Sequence, residues 1–315
     1  MREFIRRWTL AISMMAGASS YFILSWLPLG GGMRRWLLQG VGVVQPVLIF
    51  LMLFLTFCRV NPSQMHLCRW QLWNLLLQAG MFALLCLVLV LFPLTPLRPV
   101  IEGALLCFIC PTATAAVVVT SKLGGRAGTT TAYTLLINLG VAILVPLLVP
   151  LAHPQAGMGF AHAFSMILSK VFPLLLCPIV AAELLRRLSP SLTGRLASFR
   201  DLPFHLWAVA LALALAVTTR SLVTSHVSLA LAGGIALASL LACIIQFAVG
   251  RLAGRKYGDP ISGAQSCGQK NTVFAIWMGY TFLTPVTALA GGFYSIWHNV
   301  YNSWQLAQMR KRNCQ

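Results

Sequence analysis

Acid is what this sequence has least of: Asp and Glu together number 5 in 315 residues, against 23 Lys and Arg. Acid–base catalysis by paired aspartates draws on such residues, and no H-E-x-x-H pattern stands in for them, so an intramembrane enzyme is excluded as the leading reading. Charge of either sign is scarce. Only 9% of residues are charged and 58% are hydrophobic, with a mean hydropathy of +0.82. That excludes an ordinary soluble domain and implies a polytopic helical membrane protein whose partner is the lipid bilayer. The formal charge of +18 does not imply a nucleic-acid partner, because the cations fall in short clusters between apolar runs rather than along one polar face. Nine cysteines are scattered, and Cys86, Cys107, Cys177 and Cys243 sit inside apolar runs as small hydrophobes rather than as a disulfide frame or metal site. The N-terminal M-R-E-F-I-R-R-W resembles a signal sequence but is followed by no convincing cleavage site, so a retained first helix is expected.

Apolar runs of about 20 residues, divided at Gly, Pro and charge clusters, predict ten spans: 9–29, 38–57, 70–93, 99–121, 129–152, 160–185, 203–223, 227–249, 260–284 and 286–308. With both termini in the cytoplasm, Lys and Arg fall in alternate loops as the positive-inside rule requires. Arg34, Arg35, Arg98 and Arg220 lie outside, Lys170 and Lys270 lie within spans, and all the others lie inside. An integral protein of the plasma (inner) membrane is the expectation. Five spans per half would invert the second repeat, 153–315, relative to the first, 1–152.

The most polar stretch in an apolar setting is S-C-G-Q-K-N-T-V-F-A, from Ser266 to Ala275, near mid-depth of the ninth span. The fourth span carries C-P-T-A-T, Cys110 to Thr114, at its middle. Pro111 removes a backbone donor and Gly268 loosens the chain, so each span can break. Two interrupted helices in corresponding positions of inverted halves point to a midplane site in a secondary transporter. Two ordinary kinked helices are the plainer alternative. A polar run with a lysine at that depth is tolerated where it lines a cavity.

At these residues the chain resembles the bile acid:sodium symporter (BASS) family. The likeness rests on C-P-T-A-T at Cys110–Thr114, G-Q-K-N-T at Gly268–Thr272 and F-Y-S-I-W-H-N at Phe293–Asn299, and the span count agrees with it. It implies an all-α protein of ten helices in two inverted five-helix repeats, with discontinuous, crossing helices 4 and 9. It also implies a core domain of spans 3 to 5 and 8 to 10 and a panel domain of spans 1, 2, 6 and 7. Members carry organic anions, bile acids or small carboxylates, by alternating access and usually by symport with sodium. By position, Thr112, Thr114, Lys270, Asn271, Thr272, His298 and Asn299 would face the substrate. Gln78, Thr130, Thr134, Ser266 and Gln269 would form the sodium sites or their remnant. Each has a packing alternative, since Thr in a span commonly bonds its own backbone and a lone His or Asn can serve helix packing.

Departures from the pattern bear on coupling. Ala116 and Val117 stand where the family has Ser and Asn, Ser266 replaces the glutamate shared by both sodium sites, and Lys270 replaces a glutamine. A hard cation wants a shell of oxygens and preferably negative charge, so the two-sodium arrangement is in question. Lys270 brings one positive charge and three donors. It can act as a built-in counter-ion that attracts an anionic substrate, as a proton carrier, or as a residue snorkelling to an interface. Sodium remains a possible coupling ion and no other cofactor is implied. Lys170, in the panel, can reach an interface; Glu183 is its candidate acid, but the separation of 13 residues argues against contact on one helix. The function expected is organic-anion transport, with a proton-coupled or uncoupled carrier, or a receptor or channel on the same fold, as alternatives. The sequence sets no oligomeric state.

Overall fold

A computed structural model describes residues 2–28, 30–60, 63, 65–154, 157–199, 201–224 and 227–313, with side chains described for all of these but 2–11, 34, 38, 310, 312 and 313. Of the charge pattern above, Arg200 and the side chains of Arg2, Arg6, Arg7, Arg34, Arg310 and Arg312 lie outside the described residues. Among the described residues every extended element is a helix: α1 (Arg2–Trp26), α2 (Gly31–Arg59), α3 (Arg69–Leu91), α4 (Arg98–Ile109), α5 (Ala115–Lys122), α6 (Ala127–Ala152), α7 (Phe160–Leu188), α8 (Pro190–Ser198), α9 (Leu202–Thr224), α10 (Leu229–Lys256), α11 (Pro260–Gly268), α12 (Thr272–Phe282) and α13 (Leu289–Asn313). Six of them, α2, α3, α6, α7, α9 and α10, are long and apolar enough to cross a membrane, as an integral membrane protein requires.

Among the described residues thirteen helices stand where ten spans were expected. The sequence segments 99–121 and 260–284 each hold two helices, because the chain leaves helical geometry inside them. A further short helix, α8, forms in the stretch that hydropathy reads as a loop. Pro190 sits in its first turn, where the missing N–H costs nothing and the fixed φ favours the helix.

Packing sorts the helices into two groups. α3, α4, α5, α6, α10, α11, α12 and α13 pack on one another, and α1, α2, α7, α8 and α9 form a second set. The two meet where α12 lies against α2 and α9, where α13 touches α9, and where α6 runs beside α7. Tight helix contact inside the first group depends on small residues. A Cβ on Gly250 of α10 would lie 2.5 Å from the carbonyl oxygen of Gly263 in α11 and 2.7 Å from Cys267 Cβ. The turn between these helices is made by Gly258, at φ +71°, a left-handed conformation that favours glycine. Pro260 then starts α11.

Two acids tie the group together at its opposite ends. Glu102 of α4, 1% exposed, accepts from Arg98 Nε at 3.0 Å, lies 2.9 Å from His153 Nδ1 at the end of α6, and accepts from the Thr287 hydroxyl at 2.9 Å, just before α13. Asp259, just before α11, accepts from the Thr129 hydroxyl near the start of α6 at 2.9 Å.

Candidate functional site at the crossing of two interrupted helices

Pro111 accounts for the first interruption. The residue before a proline is driven from helical to extended geometry, and Cys110 adopts φ −51°, ψ 131°. Helix resumes at Ala115. The second interruption has no proline. Gln269 is extended at φ −89°, ψ 103°, and Gly268 before it presses on Phe247, so that a Cβ there would lie 2.5 Å from the ring's Cδ1.

The two loosened segments pair with each other. Thr112 and Lys270 face one another in an isolated antiparallel bridge. The Ala113 N–H donates to Gln269 O and the Asn271 N–H to Pro111 O, both at 2.8 Å. Thr112 Oγ1 donates to Ser266 O at 2.7 Å and Cys110 Sγ to Asn271 O at 2.8 Å. Tyr294 of α13 donates to Gly268 O at 2.8 Å, and Gln246 of α10 donates to the Tyr294 oxygen and to Cys107 O, both at 3.1 Å. Each half thus supplies the partners that the other's broken backbone would lack in lipid.

Lys270 lies within this knot, 1% exposed. Its ammonium donates to Phe108 O at 3.4 Å, a carbonyl in the last turn of α4 with no partner along the helix. Such a helix end carries partial negative charge, and Lys270 itself follows the end of α11. The cation is therefore held by dipoles. The described ion pairs join Arg98 and His153 to Glu102, and Arg186 and Arg187 to Glu183; none reaches Lys270.

Of the other expected substrate residues, His298 is buried and its Nδ1 accepts the Lys270 backbone N–H at 3.3 Å, which puts its ring proton on Nε2. Asn271 caps α12 by accepting from Phe274 N at 3.2 Å, and Thr272 is buried beside it. Thr114 is half-buried at the start of α5. Asn299 donates to Ser295 O of its own helix at 2.7 Å. Thr112, Lys270, Asn271, Thr272 and His298 are brought together; Asn299 is turned to its own backbone.

The expected ion residues divide likewise. Gln78 Nε2 donates to Cys267 O at 3.3 Å, while Gln78 Oε1, Ser266 Oγ and Gln269 Oε1 are buried with no hydrogen-bond partner among the described residues. Thr130 Oγ1 donates to Thr120 Oγ1 at 3.3 Å, and Thr134 Oγ1 returns to Thr130 O at 2.9 Å. Gln246, Tyr294, Glu102 and Phe108 were missed by the sequence reading. The first three were visible as lone polar groups in apolar spans, whereas a main-chain carbonyl has no signature of its own.

A polar cavity was expected at mid-depth; Thr112 and Lys270 there are 0% and 1% exposed. Cavities of about 250 Å³, lined by Met65, Leu67, Ala132, Leu135, Leu136 and Leu139, and about 440 Å³, lined by residues 91–95, open elsewhere. Neither includes a residue of the crossing. A ligand reaches Lys270 only if the packing around it opens. No protein-family model matches this sequence, and no curated protein matches it.

Proposed function

We propose that the chain is a secondary transporter of an organic anion, built as a BASS-type inverted repeat and working by movement of a core group of helices against a panel group. One observation carries the reading: two helices stop at mid-length, cross through paired backbone, and hold a buried ammonium with no carboxylate partner among the described residues. Such a cation in a membrane protein marks a path for ions or charged substrates. The helix starts at Ala115 and Thr272 add partial positive charge, so an anion is the complementary ligand.

Taking α4 with α5 and α11 with α12 as single interrupted spans, and setting α8 aside, leaves ten. The acid–threonine contacts support inversion of the halves. Glu102 ties the first interrupted span to the start of α13, and Asp259 ties the second to the start of α6, at opposite ends of the core. The packing groups correspond to core and panel.

Sodium is not part of the proposal. Its site would draw on Gln78, Ser266, Gln269, Thr130 and Thr134, which offer neutral oxygens only. Ser266 supplies no charge where the family carries a glutamate. A set without a carboxylate attracts a hard cation less strongly than the glutamate-bearing pattern of the family. Lys270 stands in its place as a tethered cation.

Counterflow in proteoliposomes tests the reading. Labelled pyruvate and labelled taurocholate are offered outside, with the matching unlabelled anion inside and either sodium or potassium on both sides. Uptake of at least one, accelerated by trans substrate and equal in the two salts, is expected. Binding without exchange would make the chain a receptor, and flux indifferent to trans substrate would make it a channel.

A further inference from the structure

Lys170 is a second cation that the crossing does not use. It is exposed and is the eleventh residue of α7, which at 1.5 Å per residue puts it about 15 Å along that helix. A helix of this length and hydropathy can cross a membrane, and a charge near the middle of such a helix faces a wet cleft or a partner, or snorkels to the interface. Among the described residues no ion pair reaches it, and Glu183, on the same helix, is held by Arg186 and Arg187. Its ammonium rests 5.7 Å from the centre of the Phe282 ring, near the outer limit of a cation–π contact.

Phe282 ends α12, through which the core meets α2 and, together with α13, α9. Behind it the rings continue toward the crossing. Phe282 meets Trp277 edge-on at 5.4 Å, and Trp277 meets Phe274 at 5.7 Å. Phe274 is the residue whose N–H Asn271 caps at the break. A file of aromatic side chains thus runs along the core–panel seam, from the interrupted helix at one end to the Lys170 ammonium at the other. Phe282 and Trp277 are 1% and 4% exposed, so a ligand meets their faces when core and panel part.

We propose that Lys170 is a capture site for the carboxylate of an amphipathic organic anion, separate from Lys270, with Phe282 and Trp277 receiving the ligand's apolar body as the seam opens. The proposal deepens the transport reading and rests on it for the route between the two lysines, but the binding at Lys170 can be measured without flux. A carboxylate offers the ammonium a charge-assisted hydrogen bond, stronger than a marginal contact with a ring.

Binding of benzoate and of acetate to the purified full-length protein, measured by isothermal titration calorimetry, tests it. Wild type is expected to bind benzoate the more tightly. Lys170→Gln should weaken both about tenfold, as loss of one charge-assisted bond implies, and Lys170→Arg should stay within about threefold of wild type. Phe282→Leu should weaken benzoate and leave acetate unchanged. Wild-type affinity in Lys170→Gln, or no benzoate binding by wild type, overturns the site. Counterflow on the same variants separates the two readings. Lys170-dependent binding without exchange upholds this site and removes the transporter; exchange with Lys170-independent affinity removes this site alone.

Discussion

Replacing Lys270 with Met separates its structural role from its functional one. The methionine side chain follows much of the lysine's path and fills similar space without charge. In the wild type the ammonium is 1% exposed and makes one described hydrogen bond, to Phe108 O at 3.4 Å. Burying an ion costs several kcal/mol after relaxation, and a hydrogen bond to a charged group returns about 1.5–3 kcal/mol. Removing the charge leaves Phe108 O unpaired, at a cost of about 1–3 kcal/mol, while relieving the whole burial cost. The balance predicts Lys270→Met to be as stable as wild type or more stable by about 1–2 kcal/mol, with anion counterflow abolished. Thermal unfolding in detergent gives the first quantity and proteoliposome exchange the second. A fall in melting temperature would show that the ammonium is a net tie between α4 and α11, and retained exchange would take it out of the transport path; either result refutes the argument.

Other perturbations act on the scaffold. Gly250→Ala puts a methyl 2.5 Å from Gly263 O, and the forced separation of α10 and α11 should cost about 1–3 kcal/mol, read as a lower melting temperature. Thr112→Val removes the 2.7 Å bond to Ser266 O and should cost about 1 kcal/mol, with a larger effect on exchange than on stability. Glu102→Gln deprives Arg98 and His153 of their shared carboxylate. Because Arg98 is partly exposed the loss should be about 2–3 kcal/mol, below that of a fully buried pair, again by thermal unfolding.

Much of this architecture is written in local chemistry. Pro111 marks the first break because proline both lacks a donor and expels the preceding residue from helix. The second break is marked by a run of polar residues too costly to expose to lipid. What the sequence hides is where main-chain atoms go. Nothing in C-P-T-A-T says that Ala113 N will find Gln269 O, or that Phe108 O will meet the Lys270 ammonium, since those partners are fixed by packing across the whole chain. The same blindness covers side-chain direction. Thr112 and Thr134 look alike in the sequence, yet one reaches across to Ser266 O and the other turns back on its own helix. α8 escaped notice because nine residues in a basic loop have neither the length nor the hydropathy of a span.

The paired breaks also impose a delay during synthesis. Thr112 must find Ser266, 154 residues further along, and at a ribosomal pace of about 5–20 residues per second that wait lasts roughly 8–30 s. Throughout it the newly inserted α4–α5 segment has no mate for its unhelical backbone, and it must shelter in the translocon or beside its own early neighbours. Truncating the nascent chain before Gln269 should therefore leave a product prone to degradation, however well its first helices insert.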